Sequence, residues 1–323
     1  MPYFMMSNRK LEDGVPGEDC ATEMLYYIAK DAAKKKLNDF SVWQVFTAEA
    51  FRQQLTDVAA AFPAIADDQN QEQKHVSLFV HGYNVGWQDA AVRYTDLCQR
   101  LYSGSESLGT LILYTWPSNG SVAGYLPDRE DARASAPTLA DALVMLHEHI
   151  INMQQLAALK PTKQCRAKIS IIAHSMGNYV MQNALAIAAK RLNSPQLITL
   201  IHQLVMVSAD VDNDIFQKNQ TTSSDGNLMS NLCYRIGALY TGLDQVLGAS
   251  AGLKHFGTRR LGRSGLADRN QVWDNVFDVD VSDLIDHTKS THSAALESPE
   301  SVALIRQILT GVDRGLLPGS QRG

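Results

Sequence analysis

The chain has 323 residues with 29 Lys and Arg against 34 Asp and Glu, a formal net charge of −5, and 45% hydrophobic and 20% charged residues. That composition is globular, which excludes disordered, collagen-like and coiled-coil descriptions, and the mild acidity argues against a nucleic-acid partner because no broad cationic field is available. Four scattered cysteines (Cys20, Cys98, Cys165 and Cys233) lack any C-x-x-C spacing, so they read as reduced thiols and not as zinc ligands. The opening residues MPYFMMSNRKLEDG lack a signal-peptide pattern, and no run reaches about 18 apolar residues. A cytoplasmic protein without a membrane span is expected.

Short apolar or β-branched runs alternate with helix-period segments, the pattern of a mostly parallel sheet flanked by helices. The chain opens with a predicted strand, PYFMMS from Pro2, and a second follows at SVWQVF from Ser41. Thr47 to Phe62 reads as a helix capped by Thr47, with Phe51, Leu55, Val58 and Phe62 recurring at helical spacing. Next come a strand VSLFVH from Val76, a helix from Trp87 to Tyr102, a strand TLILYTW from Thr110 and a helix from Ala132 to Leu159. KISIIAH from Lys168 is a strand, Gly177 to Leu192 a helix and LVMVSA from Leu204 a strand. Two further strands are CYRIGALY from Cys233 and VFDVDV from Val276. Ser298 to Gly311 closes the series as a helix with Ser298 as cap, Pro299 at its first position and Gly311 at its stop. Eight strands fit one sheet in a single α/β domain over 1–323. The polar run within Asn213 to Asn231 reads as a loop too poor in apolar residues for the core, and 119–131 and 213–231 are candidate lid or cap loops. Lys254 to Asn270, with Arg259, Arg260, Arg263 and Arg269, reads as a solvated surface loop, with anion binding the lesser alternative.

The strongest chemical signal is Ala173-His174-Ser175-Met176-Gly177, between a buried strand and an amphipathic helix. It is a Gly-x-Ser-x-Gly nucleophile elbow with alanine at the first position. The tight strand-to-helix turn demands small neighbours because larger ones would collide with the adjoining strand and helix. A serine hydroxyl needs a base to take its proton and fixed donors for the developing oxyanion. His81-Gly82-Tyr83-Asn84, at the end of an earlier strand, matches the His-Gly-x loop of lipases and esterases. The Tyr83 and Met176 amides are therefore the candidate oxyanion-hole donors, with His81 an anchor of the loop.

Taken together, FVHGYNVGW, YTWPSNG, AHSMGNY, SADVDNDIF and a late HSA resemble the bacterial α/β-hydrolases catalogued as a domain of unknown function and often labelled esterase/lipase superfamily proteins. The resemblance runs from about Pro2 to about His292. It implies the α/β-hydrolase fold and a serine-hydrolase mechanism, and it brings no settled substrate. In this fold the triad order is serine, acid, histidine. Two histidines follow the last strand, His287 and His292. The family's final His-Ser pair matches His292-Ser293, which favours His292 as base, on the loop after that strand. The acid usually follows the seventh strand, where Thr241-Gly242-Leu243-Asp244 forms a small-residue turn; Asp210, after the sixth strand in the SADVDND motif, is the alternative, and Asp212 a lesser one.

The other histidines give no metal site: His147 and His149 are two apart, which turns them to different sides of a helix, and His174 is expected to point away from the serine. Asp210, Asp212 and Asp214 imitate a calcium loop, but its glycine position holds Ile215 and its glutamate position Thr221. No phosphate-binding glycine motif is present, so no cofactor or metal is expected. Trp116 and Tyr125 are candidate substrate-binding residues, with core packing the competing role for Trp116. The expected partner is a small ester-type molecule; a non-catalytic scaffold that binds a partner or ligand is the rival reading.

Overall fold

A computed structural model describes residues 1–31, 36–62, 73–119, 124–159, 167–192, 199–221, 224–254, 257–288 and 290–319. Cys165, the Thr222–Ser223 pair of the polar run, His255 and part of the 119–131 segment lie outside them. The chain forms two compact units: Met1–Phe79 with Tyr83–Ile169, and Val80–Gly82 with Ser170–Gly323.

The first unit contains β1 (Tyr3–Glu12), β2 (Val15–Ala29), β3 (Gln44–Phe46), α1 (Ala48–Ala60), β4 (His75–Val80, as far as Phe79), α2 (Trp87–Leu101), β5 (Gly109–Thr115) and α3 (Tyr125–Leu159). Its strands run in the order β3-β2-β1-β5-β4. β1 and β2 form an antiparallel hairpin through Asp13-Gly14, whose φ values of 50° and 80° suit the left-handed turn that an Asp-Gly pair favours. β1 pairs parallel with β5, and β5 is buried along its whole length. Thr47 caps α1 by accepting from the Ala50 amide at 3.2 Å, as its sequence predicts. The core on this side includes Phe4 and Phe51, edge to face at 5.4 Å.

The second unit contains β6 (Lys168–His174, from Ser170 onward), α4 (Gly177–Arg191), β7 (Ile201–Val207), α5 (Asp225–Leu232), β8 (Cys233–Tyr240), α6 (Gln245–Lys254), α7 (Leu261–Ser264), β9 (Val276–Asp280), α8 (Thr291–Glu297) and α9 (Pro299–Thr310). β6, β7, β8 and β9 pair in that order, all parallel. Gly311 ends α9 in the left-handed conformation, φ 87°. No helix among the described residues is long and apolar enough to cross a membrane.

Several expectations need correction. Nine strands are present among the described residues, not eight: β2 was not legible, and only Gln44–Phe46 of the Ser41 strand is extended, after a 3-10 turn at Phe40–Val42. α3 starts at Tyr125, so the end of the 119–131 segment is helical. The 213–231 segment is no open loop: Phe216 is fully buried, Gln217 bridges to Val272, and Ser224 caps α5, which buries Met229 and Leu232. The arginine segment is not solvated as a whole either, because Arg260 is wholly buried and Arg269 is bound to Asp278 through two nitrogens. Carboxylates bind both cations, 50 and 48 residues away in sequence for Arg260 and nine away for Arg269.

Candidate active site

β6 delivers Ser175 to a turn that its own backbone would not choose. Ser175 has φ 53°, a left-handed conformation that costs a serine of order 1 kcal/mol and survives only where its surroundings fix it. They do so from three sides: the Ser175 amide donates to the Val207 carbonyl at 3.0 Å, and the Ser175 carbonyl accepts from the Asn178 and Asp210 amides, each at 3.1 Å. Asn178 adds a side-chain bond to the Ala173 carbonyl at 3.0 Å. The glycine after the turn is required by space. A Cβ on Gly177 would lie 2.4 Å from the His81 carbonyl oxygen, and one on Gly82 would lie 2.6 Å from Ser175 Cβ.

His292 and Asp244 complete a hydrogen-bonded relay. His292 Nε2 is 2.8 Å from Ser175 Oγ, and His292 Nδ1 is 2.7 Å from Asp244 Oδ2. A carboxylate only accepts, so Nδ1 carries a proton, and a ring protonated there alone has Nε2 free to accept from the serine hydroxyl. Asp244 is fully buried at the start of α6, where its other oxygen accepts from the Leu247 amide at 2.9 Å and its carbonyl accepts from Arg263. Ser175 is 3% exposed and the His292 side chain 11%. The relay is therefore shielded, which strengthens its polar interactions.

His292 is not on a free loop as its sequence suggests. It sits in the first turn of α8, and Thr291 beside it donates to the Leu243 carbonyl at 3.0 Å. The rival histidine, His287, is exposed on the segment before α8. His174 does not simply point away: its Nε2 lies 3.1 Å from the His292 carbonyl oxygen, a contact that sequence reading missed. Asp210, the alternative acid, is turned to another partner, with Oδ1 2.8 Å from Arg260 Nε and 3.2 Å from Ser250 Oγ. Arg260 also binds Asp212 and the Asp210 carbonyl.

The remaining candidates divide between the units. Met176, buried, precedes α4. His81 is buried with Nδ1 2.9 Å from the Gly82 carbonyl, an anchoring contact of the kind expected of it. In the first unit, Tyr83 stacks edge to face on Tyr125 at 5.5 Å, and burial followed by the Asp128 charge pushes its phenol pKa up. Asp128 holds the following residues, accepting from the Asn84 amide at 3.3 Å and from Ser118 Oγ at 2.5 Å. Trp116 is fully buried and Tyr125 is 4% exposed, so Trp116 packs as a core side chain. No group of three or more metal-ligating side chains occurs among the described residues.

Residues 59–310 match a family described as an alpha/beta hydrolase of unknown function, DUF900. The chain belongs to this α/β-hydrolase family. As a DUF900 member it has the α/β-hydrolase fold, and the Ser175 elbow, Asp244 and His292 all fall inside the matched region. An uncharacterized protein of Nostoc sp. is 28% identical over 33% of this chain, and the match spans 30% of that relative's length. Among solved structures, lipase B of Aspergillus fumigatus is similar at 13% identity and a TM-score of 0.41, over 80% of this chain and 56% of the lipase. An esterase of Pyrobaculum calidifontis is similar at 11% identity and a TM-score of 0.36, over 87% of this chain and 98% of the esterase.

Proposed function

We propose that this DUF900 protein is a serine hydrolase that cleaves a carboxylic ester or thioester through an acyl-enzyme on Ser175. The observation that carries the reading is the relay itself: an imidazole 2.8 Å from a strained, nearly buried serine and 2.7 Å from a fully buried aspartate. His292 takes the Ser175 proton as Oγ attacks the carbonyl carbon, and it returns that proton to the leaving alcohol or thiol. Asp244 holds the ring in the required tautomer and stabilises the imidazolium. Water, deprotonated by His292, then attacks the acyl-enzyme and releases the acid and Ser175. The amide of Met176, which directly follows the serine, is the proposed donor to the oxyanion, and the missing side chain of Gly82 permits that turn to approach Ser175 closely. Amide hydrolysis or acyl transfer would use the same groups.

A fluorophosphonate probe tests this directly. Wild-type protein should be labelled at Ser175, and folded Ser175→Ala should remain unlabelled. Folded wild type that takes no label, or takes it elsewhere, would overturn the hydrolase reading and leave a ligand-binding scaffold.

A further inference from the structure

His174, the last residue of β6, is 1% exposed, and its ring meets two parts of the site at once. Nε2 lies 3.1 Å from the His292 carbonyl oxygen, with the two imidazole centroids 5.0 Å apart. Because a carbonyl oxygen only accepts, this nitrogen carries the proton and donates. The other edge of the ring backs the glycine turn: a Cβ on Gly82 would fall 3.1 Å from His174 Nδ1. One side chain thus spans from the residue beside Tyr83 to the residue that bears the base.

The helix that receives this bond is poorly fixed by its own sequence. α8 has seven residues, and Ser290 at its N-cap makes no side-chain capping bond. Such a short helix owes its position to tertiary contacts. The bond from His174 is made to the backbone of His292 itself, so it restrains the Cα from which the imidazole reaches Ser175.

We propose that His174 is a positioning residue: its Nε2–H holds the first turn of α8, and so the reach of His292 to Ser175, while its ring supports the Gly82 turn. The inference rests on the serine-hydrolase reading. A donor is needed at the distance of Nε2 from the backbone. Glutamine places an amide N–H at that distance, asparagine falls short of it, and phenylalanine keeps the flat ring without a donor.

The full chain and its His174→Gln, His174→Asn and His174→Phe variants would be compared by fluorophosphonate labelling rate and by kcat and KM on p-nitrophenyl acetate, with thermal unfolding alongside. Displacements of about 1 Å in such sites cost on the order of 10²-fold, so His174→Asn and His174→Phe should lose about that much in labelling rate and kcat with KM nearly unchanged. His174→Gln should recover most of the loss. Should His174→Phe fail to fold, the Asn and Gln pair still decides. Asn at the wild-type rate, Gln falling as far as Asn, or losses that track only the unfolded fraction would each overturn the proposal. Absence of label on folded wild type is a separate failure, of the hydrolase reading, and removes this inference with it.

Discussion

Arg260 and Asp210 form a buried ion pair, with Nε 2.8 Å from Oδ1 and both side chains at most 2% exposed. The pair gives the conspicuous SADVDND motif a structural partner: the Asp210 carboxylate, with that of Asp212, binds Arg260, while the Asp210 amide braces the Ser175 carbonyl at 3.1 Å. Asp244 is the carboxylate that meets His292.

The two aspartates should therefore respond differently to the same substitution. Asp244→Asn keeps the shape but removes the charge that sets the histidine tautomer, a change that lowers kcat by about 10⁴ in a serine protease. It should do so here with folding intact. Asp210→Asn removes the buried one of the two carboxylates that bind Arg260 and leaves Asp212, so the cost should stay below the about 3 kcal/mol of an unpaired buried charge. Its main effect should be a lower urea midpoint, with kcat of the folded fraction much less affected. Kinetics on one ester, together with urea unfolding of both variants, checks the ranking; the reverse order would assign the acid to Asp210.

The two glycines of the site should also separate. Gly177→Ala drives a methyl against the carbonyl oxygens of His81 and Val80, at 2.4 and 2.6 Å, and backbone cannot swing aside as a side chain can. Overpacking of this kind costs about 1–3 kcal/mol, so unfolding should shift first. Gly82→Ala instead places its methyl 2.6 Å from Ser175 Cβ. Displacing either the serine or the turn should lower kcat about 10²-fold. An alanine at 82 that leaves fluorophosphonate labelling at the wild-type rate would refute the close approach of that turn to the serine.

Sequence made some of these features legible and hid others for physical reasons. The elbow is legible because strain and crowding restrict its residue types locally, and the turn that carries Asp244 because small residues follow a strand of clear pattern. β2 was hidden because Pro16, Gly17 and the acidic pair Glu18-Asp19 break the two-residue period. Its order comes from pairing with β1, which shifts register twice between Ser7 and Leu11. Arg260 looked solvated because its carboxylate partners lie 50 and 48 residues away in the chain. α8 is too short, and too weakly capped, to announce itself, so His292 seemed to occupy a loop. Local rules were visible; the pairing of Arg260 with its two aspartates was not.

Asp131 gives the first unit a pH signature of its own. It lies on α3, partly buried, and burial first and the nearby Asp128 charge second push its carboxyl from 3.8 up to about 6. Asp128 is itself fully buried, accepting from Ser118 and from the Asn119 amide at 2.9 Å. A carboxyl with a raised native pKa holds its proton more tightly folded than unfolded. Its stabilising contribution is therefore complete below the unfolded pKa and is lost as pH rises through about 6. Asp131→Asn removes the titration while keeping the neutral shape. The melting temperature of Asp131→Asn minus that of wild type should thus grow between about pH 4 and about pH 7 and level off above. Thermal unfolding of both proteins across that range measures the difference, and a difference that stays constant with pH would show that Asp131 keeps its ordinary affinity for the proton.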